Sequence, residues 1–273
     1  MPTDDPGKGM VLHCKERGAG RPLVLVHGWS MSGRIWEFQQ GLGERFRLII
    51  PDLRGHGASD APADGYSLDD LAADLVSLFG RLDLDHAVLL GWSLGAQAVL
   101  AAYPAIRRRL SGIVLAGGTP RFTATEGYPC GVSPQELRGM GLRLKRDFTR
   151  TMGEFFRGMF AEGELSREQE NRIAREIVMG GRLPVPEVAA RTLDILASAD
   201  LRDTLESVDL PVLLIHGSED TICPVAAAHY MARKFLRVRL EIMEAMGHAP
   251  FLSHPDRFNR LVAGFIDGLE RDD

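Results

Sequence analysis

Short apolar runs, each followed by polar loop residues, recur along this chain and leave few folds open to it. They occupy residues 23–26, 48–50, 87–90, 112–118, 211–217 and 239–243, and residues 10–15 favour an additional edge strand. Uninterrupted apolar runs are typical of strands that are buried on both faces of a sheet. Helical patterns separate them, such as the one that follows a capping box of Ser67 and Asp70. We therefore predict an α/β fold with a mostly parallel, doubly wound sheet.

One long segment departs from this alternation. Between residues 119 and 205 the helical patterns at 135–160, 166–179 and 187–198 are accompanied by almost no strand signal. A strand-free stretch of this length inside an α/β chain favours a helical insertion that covers the carboxyl edge of the sheet. We expect a core formed by residues 10–118 and 206–270, with residues 119–205 inserted as a helical lid.

Ser93 lies between an apolar run and an alanine-rich helical pattern, within Gly91-Trp92-Ser93-Leu94-Gly95. A serine on a sharp strand-to-helix turn, flanked by glycines, is typical of a nucleophile elbow. The glycines are needed because neighbouring Cβ atoms would crowd the strained backbone of the turn. We predict that Ser93 is a catalytic nucleophile.

Two later residues complete a catalytic triad in the expected chain order. Asp220 follows the fifth buried run, and His248 follows the sixth. Both loops belong at the sheet edge that carries Ser93, so His248 is predicted to take the Ser93 proton. Asp220 is predicted to orient the imidazole and to stabilise the imidazolium, with Glu219 and Asp203 as competing candidates for this acid.

An ester-cleaving serine also needs hydrogen-bond donors for the developing oxyanion. The main-chain N–H of Leu94, directly after the nucleophile, and that of Trp29, after the first buried run, are the expected pair. Trp29 and Trp92 are also expected to shape the substrate pocket, although Trp92 could equally be ordinary packing below the elbow. Of the other histidines, His27 and His56 are expected to hold loops, and five more, His216 among them, have no triad context.

Composition excludes several classes of protein. The 273 residues carry a net charge of −5, which gives no case for nucleic-acid binding. The longest apolar runs are too short to span a membrane, and residues 1–9 contain no apolar segment typical of a secretory signal.

The cysteines, Cys14, Cys130 and Cys223, are widely spaced, which favours free thiols in the cytoplasm. Without a paired-histidine motif we expect no metal or other cofactor. We expect a monomer.

Several motifs together resemble one family of the α/β-hydrolase superfamily. They lie at residues 27–29, 91–95, 120–124, 147–156 and 247–255, and they are similar to the pimeloyl-[acyl-carrier-protein] methyl ester esterases. The resemblance implies a carboxylesterase of biotin synthesis that removes the methyl group from a carrier-bound pimeloyl ester. It also implies that Phe155 and Met159 contact the acyl chain.

The same resemblance implies that acyl carrier protein docks on arginines of the lid, at Arg150 and Arg167. Residues 138–157 contain six basic and two acidic residues, a positive excess that suits an acidic partner. The chain departs from the family pattern at Glu154, where another arginine is expected, which transfers the contact to Arg157 or Arg172. A solvated helix face would explain the same charges.

Two other functions remain open on the sequence. A general carboxylesterase for short-chain esters would use the same triad without docking a carrier. A non-catalytic ligand-binding protein on this fold would keep its function after Ser93→Ala. Perhydrolysis requires only the same serine site, so the sequence leaves it open as a side reaction.

Overall fold

Seven strands within the described residues, 10–178 and 181–269, form one sheet in the computed structural model. They are β1 (Cys14–Arg17), β2 (Pro22–Val26), β3 (Arg47–Pro51), β4 (Ala87–Trp92), β5 (Leu110–Ala116), β6 (Val212–Gly217) and β7 (Val238–Met243). Their order across the sheet is β1-β3-β2-β4-β5-β6-β7, and β1 is antiparallel to β3 while the other pairs are parallel. The prediction of a mostly parallel sheet is confirmed.

The helices follow the strands or lie between β5 and β6. They are α1 (Leu68–Arg81), α2 (Leu94–Ile106), α3 (Pro134–Arg146), α4 (Phe148–Arg157), α5 (Arg167–Ile173), α6 (Pro186–Ser198), α7 (Arg202–Leu205), α8 (Val225–Ala232), α9 (Pro250–Ser253) and α10 (Pro255–Leu269). Helices α3 to α7 belong to residues 119–205, called the lid below. None of the helices in the described part of the chain is both long and apolar enough to cross a membrane.

The central strands are buried, with α2 packed against β4 and α10 against β5 and β6. Every residue of β4 and of β6 is buried. Helix α1 begins at the predicted capping box, where the Asp70 N–H donates to Ser67 Oγ at 3.1 Å and the Ser67 N–H donates to the Asp70 carboxylate at 2.9 Å. Its apolar face packs Leu71, Leu75 and Leu78 into the core, and each such leucine contributes about 1.5–3 kcal/mol on burial.

Three local predictions differ from the structure. The edge strand predicted at residues 10–15 lies at Cys14–Arg17 instead, paired with β3. The helix predicted at 135–160 is divided at Asp147, which ends α3 in an extended conformation and caps α4 by accepting the Arg150 N–H at 3.0 Å. A short polar side chain that binds a backbone N–H favours a helix start over a helix interior. The helix predicted at 166–179 is described as α5 followed by a π-helical turn at Ala174–Val178; its last residue lies outside the described part.

Candidate active site

Ser93 occupies the strained turn between β4 and α2. Its φ of 56° and ψ of −119° place a non-glycine residue where side chains are rarely tolerated. The turn is possible because its neighbours lack a Cβ: one on Gly95 would lie 2.5 Å from the Val26 carbonyl oxygen, and one on Gly91 would lie 2.7 Å from the Ala96 nitrogen. The elbow geometry therefore presents Ser93 at the carboxyl edge of the sheet, as the motif predicts.

Asp220 and His248 meet at that edge from the loops after β6 and β7. His248 Nδ1 lies 2.8 Å from Asp220 Oδ2, and both side chains are buried. The backbone N–H groups of Ile222 and Cys223 donate to the other carboxylate oxygen at 2.9 and 2.8 Å. The competing acids Glu219 and Asp203 have exposed side chains. Asp220 is thus the carboxylate placed to orient the imidazole.

The electrostatics of Asp220 suit this task. Burial by itself raises the pKa of the carboxyl, but the adjacent His248 and hydrogen bonds from His216 and His248 outweigh burial and hold that pKa well below its usual range. The group is therefore ionised at neutral pH. An ionised carboxylate accepts the Nδ1–H of His248 and leaves the Nε2 lone pair available as a base.

The other imidazole nitrogen of His248 is the atom that would accept the Ser93 proton. His248 Nε2 is buried and has no hydrogen-bond partner among the described residues. Burial raises the pKa of the nearby Cys223 thiol well above its usual value, and an interaction with Ser93 opposes that rise. An unpartnered buried nitrogen is available to accept a proton during catalysis, which is the role predicted for His248 Nε2.

His216 is a residue of this site that the sequence reasoning left without a role. Its Nε2 lies 2.7 Å from the Cys223 carbonyl oxygen and 3.2 Å from Asp220 Oδ2. Asp220 therefore lies between two histidines, and His216 ties it to the loop that carries Cys223. Its place at the carboxyl end of β6, four residues before Asp220, was the available signal.

The predicted oxyanion donors belong to two elements near Ser93, because Leu94 follows it in the chain and Trp29 lines the same cavity. Leu94 is the first residue of α2, so its N–H lies at a helix N-terminus. Trp29 lies in the loop after β2, and the Trp29 indole N–H donates to the Ala189 carbonyl oxygen of the lid at 2.9 Å. The two main-chain N–H groups remain our predicted oxyanion hole. The Trp29 ring also meets the Phe155 ring edge-on, with centroids 5.0 Å apart.

A cavity of about 170 Å³ opens beside Ser93, between the core and the lid. Its lining is mostly apolar: Trp29, Phe122, Val132, Leu137, Met140, Phe155, Leu193, Leu196 and Ile222, with Glu136, Arg143 and Thr221 as the polar members. Apolar walls around a single reactive polar group are typical of a site for a small acyl group.

Two of the predicted substrate contacts lie elsewhere. Trp92 is fully buried, and its indole N–H donates to the His248 carbonyl oxygen at 2.9 Å. Met159 is also fully buried, and its carbonyl oxygen accepts the His248 N–H at 2.7 Å. Neither residue belongs to the lining of the cavity at Ser93. The structure places both against the catalytic histidine loop, while Trp29 and Phe155 do line the cavity.

The four lid arginines fall into two pairs. Arg150 binds Glu154 at 2.8 Å on α4, and Arg172 binds Glu176 at 3.2 Å and stacks over the Phe38 ring. Arg157 and Arg167 are exposed, and neither has an ion-pair partner in the described part of the chain.

Within residues 10–178 and 181–269, no group of three or more His, Cys, Asp or Glu side chains is placed to hold a metal ion.

Comparisons with known proteins agree with this geometry. Residues 23–261 match the model of the alpha/beta hydrolase family. A pimeloyl-[acyl-carrier protein] methyl ester esterase of Nitrosomonas europaea is 36% identical over 90% of this chain and 96% of that protein. One of Serratia marcescens is 34% identical over 93% and 98%. An esterase from Exiguobacterium antarcticum superimposes with a TM-score of 0.88, at 29% identity, over 95% of this chain and 96% of that one.

Proposed function

We propose that this chain, which belongs to the α/β-hydrolase family, is a carboxylesterase that hydrolyses the methyl ester of a pimeloyl group carried on acyl carrier protein. The observation that carries the proposal is the buried hydrogen bond between His248 and ionised Asp220, at the sheet edge where the elbow presents Ser93. The names of the relatives supply the substrate. This activity would serve biotin synthesis.

The geometry supports a two-step mechanism through an acyl-enzyme. Ser93 Oγ attacks the ester carbonyl carbon while His248 Nε2 takes its proton, and the imidazolium is stabilised by Asp220. The tetrahedral oxyanion is held by the N–H groups of Leu94 and Trp29, where one such donor contributes about 2.7–4 kcal/mol. The intermediate then expels methoxide, which takes the proton from His248 and leaves as methanol. Water, deprotonated by His248, attacks the acyl-enzyme, and His248 returns the proton to Ser93 Oγ as the free acid is released.

The carrier would dock on the lid through Arg150, Arg157, Arg167 and Arg172. Because Arg157 and Arg167 form no ion pair in the described part of the chain, we expect them to contribute most. Arg150 is 77% exposed in its pair with Glu154, and an exposed pair of this kind is worth at most about 1 kcal/mol. A carboxylate of the carrier could therefore replace Glu154 at little cost.

The alternative is a carboxylesterase for free short-chain esters. Its specific support is the small cavity of about 170 Å³ and the engagement of two lid arginines by glutamates of their own helices. In that case the lid would act only as a cover for the acyl pocket.

Kinetics with two substrates separate the alternatives. The kcat/KM of the double variant Arg157→Glu, Arg167→Glu is measured on the carrier-bound methyl ester and on free monomethyl pimelate. We expect a fall of about 10-fold or more on the carrier substrate alone, since repelled charges lower the association rate. Arg108→Glu, an exposed arginine at the opposite edge of the sheet, is the matched control. Equal effects on both substrates would favour the general esterase.

The variant Glu154→Gln tests carrier docking by removing a negative charge from the lid. Glu154 lies close enough to Arg143, Arg150 and Arg157 that all three lower its carboxyl pKa, with the Arg150 hydrogen bond as the main cause. Removing this negative charge should lower KM for the carrier substrate and leave the free ester unchanged. An unchanged KM on both would remove this helix face from the docking surface.

A further inference from the structure

The lid is bonded to the loop that carries the catalytic histidine. The carbonyl oxygen of Met159 accepts the N–H of His248 at 2.7 Å and the N–H of Ala249 at 3.3 Å. Met159 lies two residues after the end of α4. The lid therefore holds the main-chain N–H groups of His248 and Ala249, while Trp92 at the end of β4 donates to the His248 carbonyl oxygen.

The carboxylate of Glu164 holds the other side of the same loop. Its Oε2 accepts the N–H of Gly247, the residue before His248, at 2.8 Å, and the N–H of Ala161 at 2.7 Å. Its Oε1 accepts a short hydrogen bond from the hydroxyl of Ser253, at the end of α9. One lid carboxylate thus bridges both ends of the segment 247–253.

The two backbones are in direct contact at this point. A Cβ on Gly247 would lie 2.5 Å from the Met159 carbonyl oxygen and 2.9 Å from the Ala161 nitrogen. The close approach of the two backbones therefore depends on the missing side chain of Gly247. The contact is too close for the loop to shift without moving the lid.

We propose that Glu164 is a positioning residue for His248 and that the lid, through it, aligns the catalytic base. The inference rests on His248 acting as the base in the proposed function. Asp220 restrains one atom of the imidazole, but a ring also needs a fixed backbone to aim Nε2 at Ser93. Glu164 and the Met159 carbonyl supply that restraint from the lid, through Gly247, His248 and Ala249, and the Trp92 indole supplies it from β4.

Three variants test the proposal on p-nitrophenyl acetate, a small ester that needs neither a carrier nor a long acyl pocket. Glu164→Ala removes the bridge, and misplacing a catalytic group by about 1 Å can cost about 100-fold in rate. We expect kcat to fall about 10- to 100-fold with KM changed less than about 3-fold. Glu164→Gln keeps an oxygen for Gly247 and Ala161 and should restore most of kcat. Glu162→Ala, an exposed carboxylate of the same loop, is the control.

The outcomes separate positioning from general stability. Wild-type kcat in folded Glu164→Ala, at a temperature well below its melting point, would overturn the proposal. So would a Glu164→Gln variant as slow as the alanine variant. If Glu164→Ala does not fold, Glu164→Asp decides, because its shorter side chain cannot reach Gly247 and should still lower kcat. Labelling of Ser93 by a fluorophosphonate shows independently that the nucleophile of the proposed function is present.

Discussion

Replacing Asp220 by asparagine should move the proton of the neutral His248 imidazole from Nδ1 to Nε2. Oδ1 accepts the N–H groups of Ile222 and Cys223, and the asparagine carbonyl oxygen can keep both bonds. The amide NH₂ then takes the place of Oδ2, opposite His248 Nδ1 at 2.8 Å. Nδ1 must now accept a hydrogen bond, so the neutral imidazole carries its proton on Nε2. The base presents an N–H to Ser93 in place of a lone pair.

This reversal of the tautomer determines how much catalytic activity is lost. In serine hydrolases it lowers kcat by about 10⁴-fold, which corresponds to about 5.5 kcal/mol in activation free energy. Stability should fall as well. The new NH₂ also faces His216 Nε2, at 3.2 Å, which donates to the Cys223 carbonyl oxygen at 2.7 Å. Two donors that face one another in a buried site cost about 1–3 kcal/mol.

The same variant should also change how the folding stability depends on pH. The pKa of Asp220 is raised by burial, but His248 and the hydrogen bond from His216 together hold it well below its usual range. A carboxyl whose pKa is lower in the folded state contributes stability that is fully present above its unfolded pKa, about 3.9, and is lost as pH falls through the folded value. Below about pH 4, the stability of Asp220→Asn should therefore decrease less steeply than that of the wild type.

Ester hydrolysis and urea unfolding, each followed from pH 3 to pH 8, measure these effects. Asp203→Asn is the matched control, since Asp203 is an exposed acid on α7. A kcat within about 10-fold of wild type for Asp220→Asn would refute the orienting role. If Asp203→Asn lost activity instead, the acid of the triad would have been assigned to the wrong loop.

Three further substitutions probe the site and its support. Ser93→Ala should lower kcat by about 10⁴-fold or more with binding retained; unchanged function in this variant would favour a binding protein. Gly95→Ala should destabilise the fold by about 1–3 kcal/mol in urea unfolding, because the new Cβ meets the Val26 carbonyl oxygen. His216→Phe should lower both kcat and the melting temperature, since it leaves the Cys223 carbonyl oxygen unpaired; a lower melting temperature alone would make His216 purely structural.

Much of the fold could be predicted because its signals are local. An apolar run that ends in polar residues indicates a buried strand without reference to its neighbours, and β2 to β7 lie where these runs occur. The capping box of Ser67 and Asp70 involves residues three apart, and α1 begins there. The break at Asp147 was missed because the apolar spacing continues through it, while the capping bond to Arg150 depends on backbone conformation.

The strands, the elbow at Ser93 and the chain order of Asp220 and His248 could be predicted, since each depends on residues close in the chain. The groups that support them come from distant parts of the chain and were found only in the folded protein. Trp92 and His248 are 156 positions apart, and Glu164 and Gly247 are 83 apart. Such contacts arise when parallel strands bring their carboxyl ends to one edge and the lid folds back over it. Hydrogen bonding at that edge depends on ångström distances that no spacing along the chain specifies.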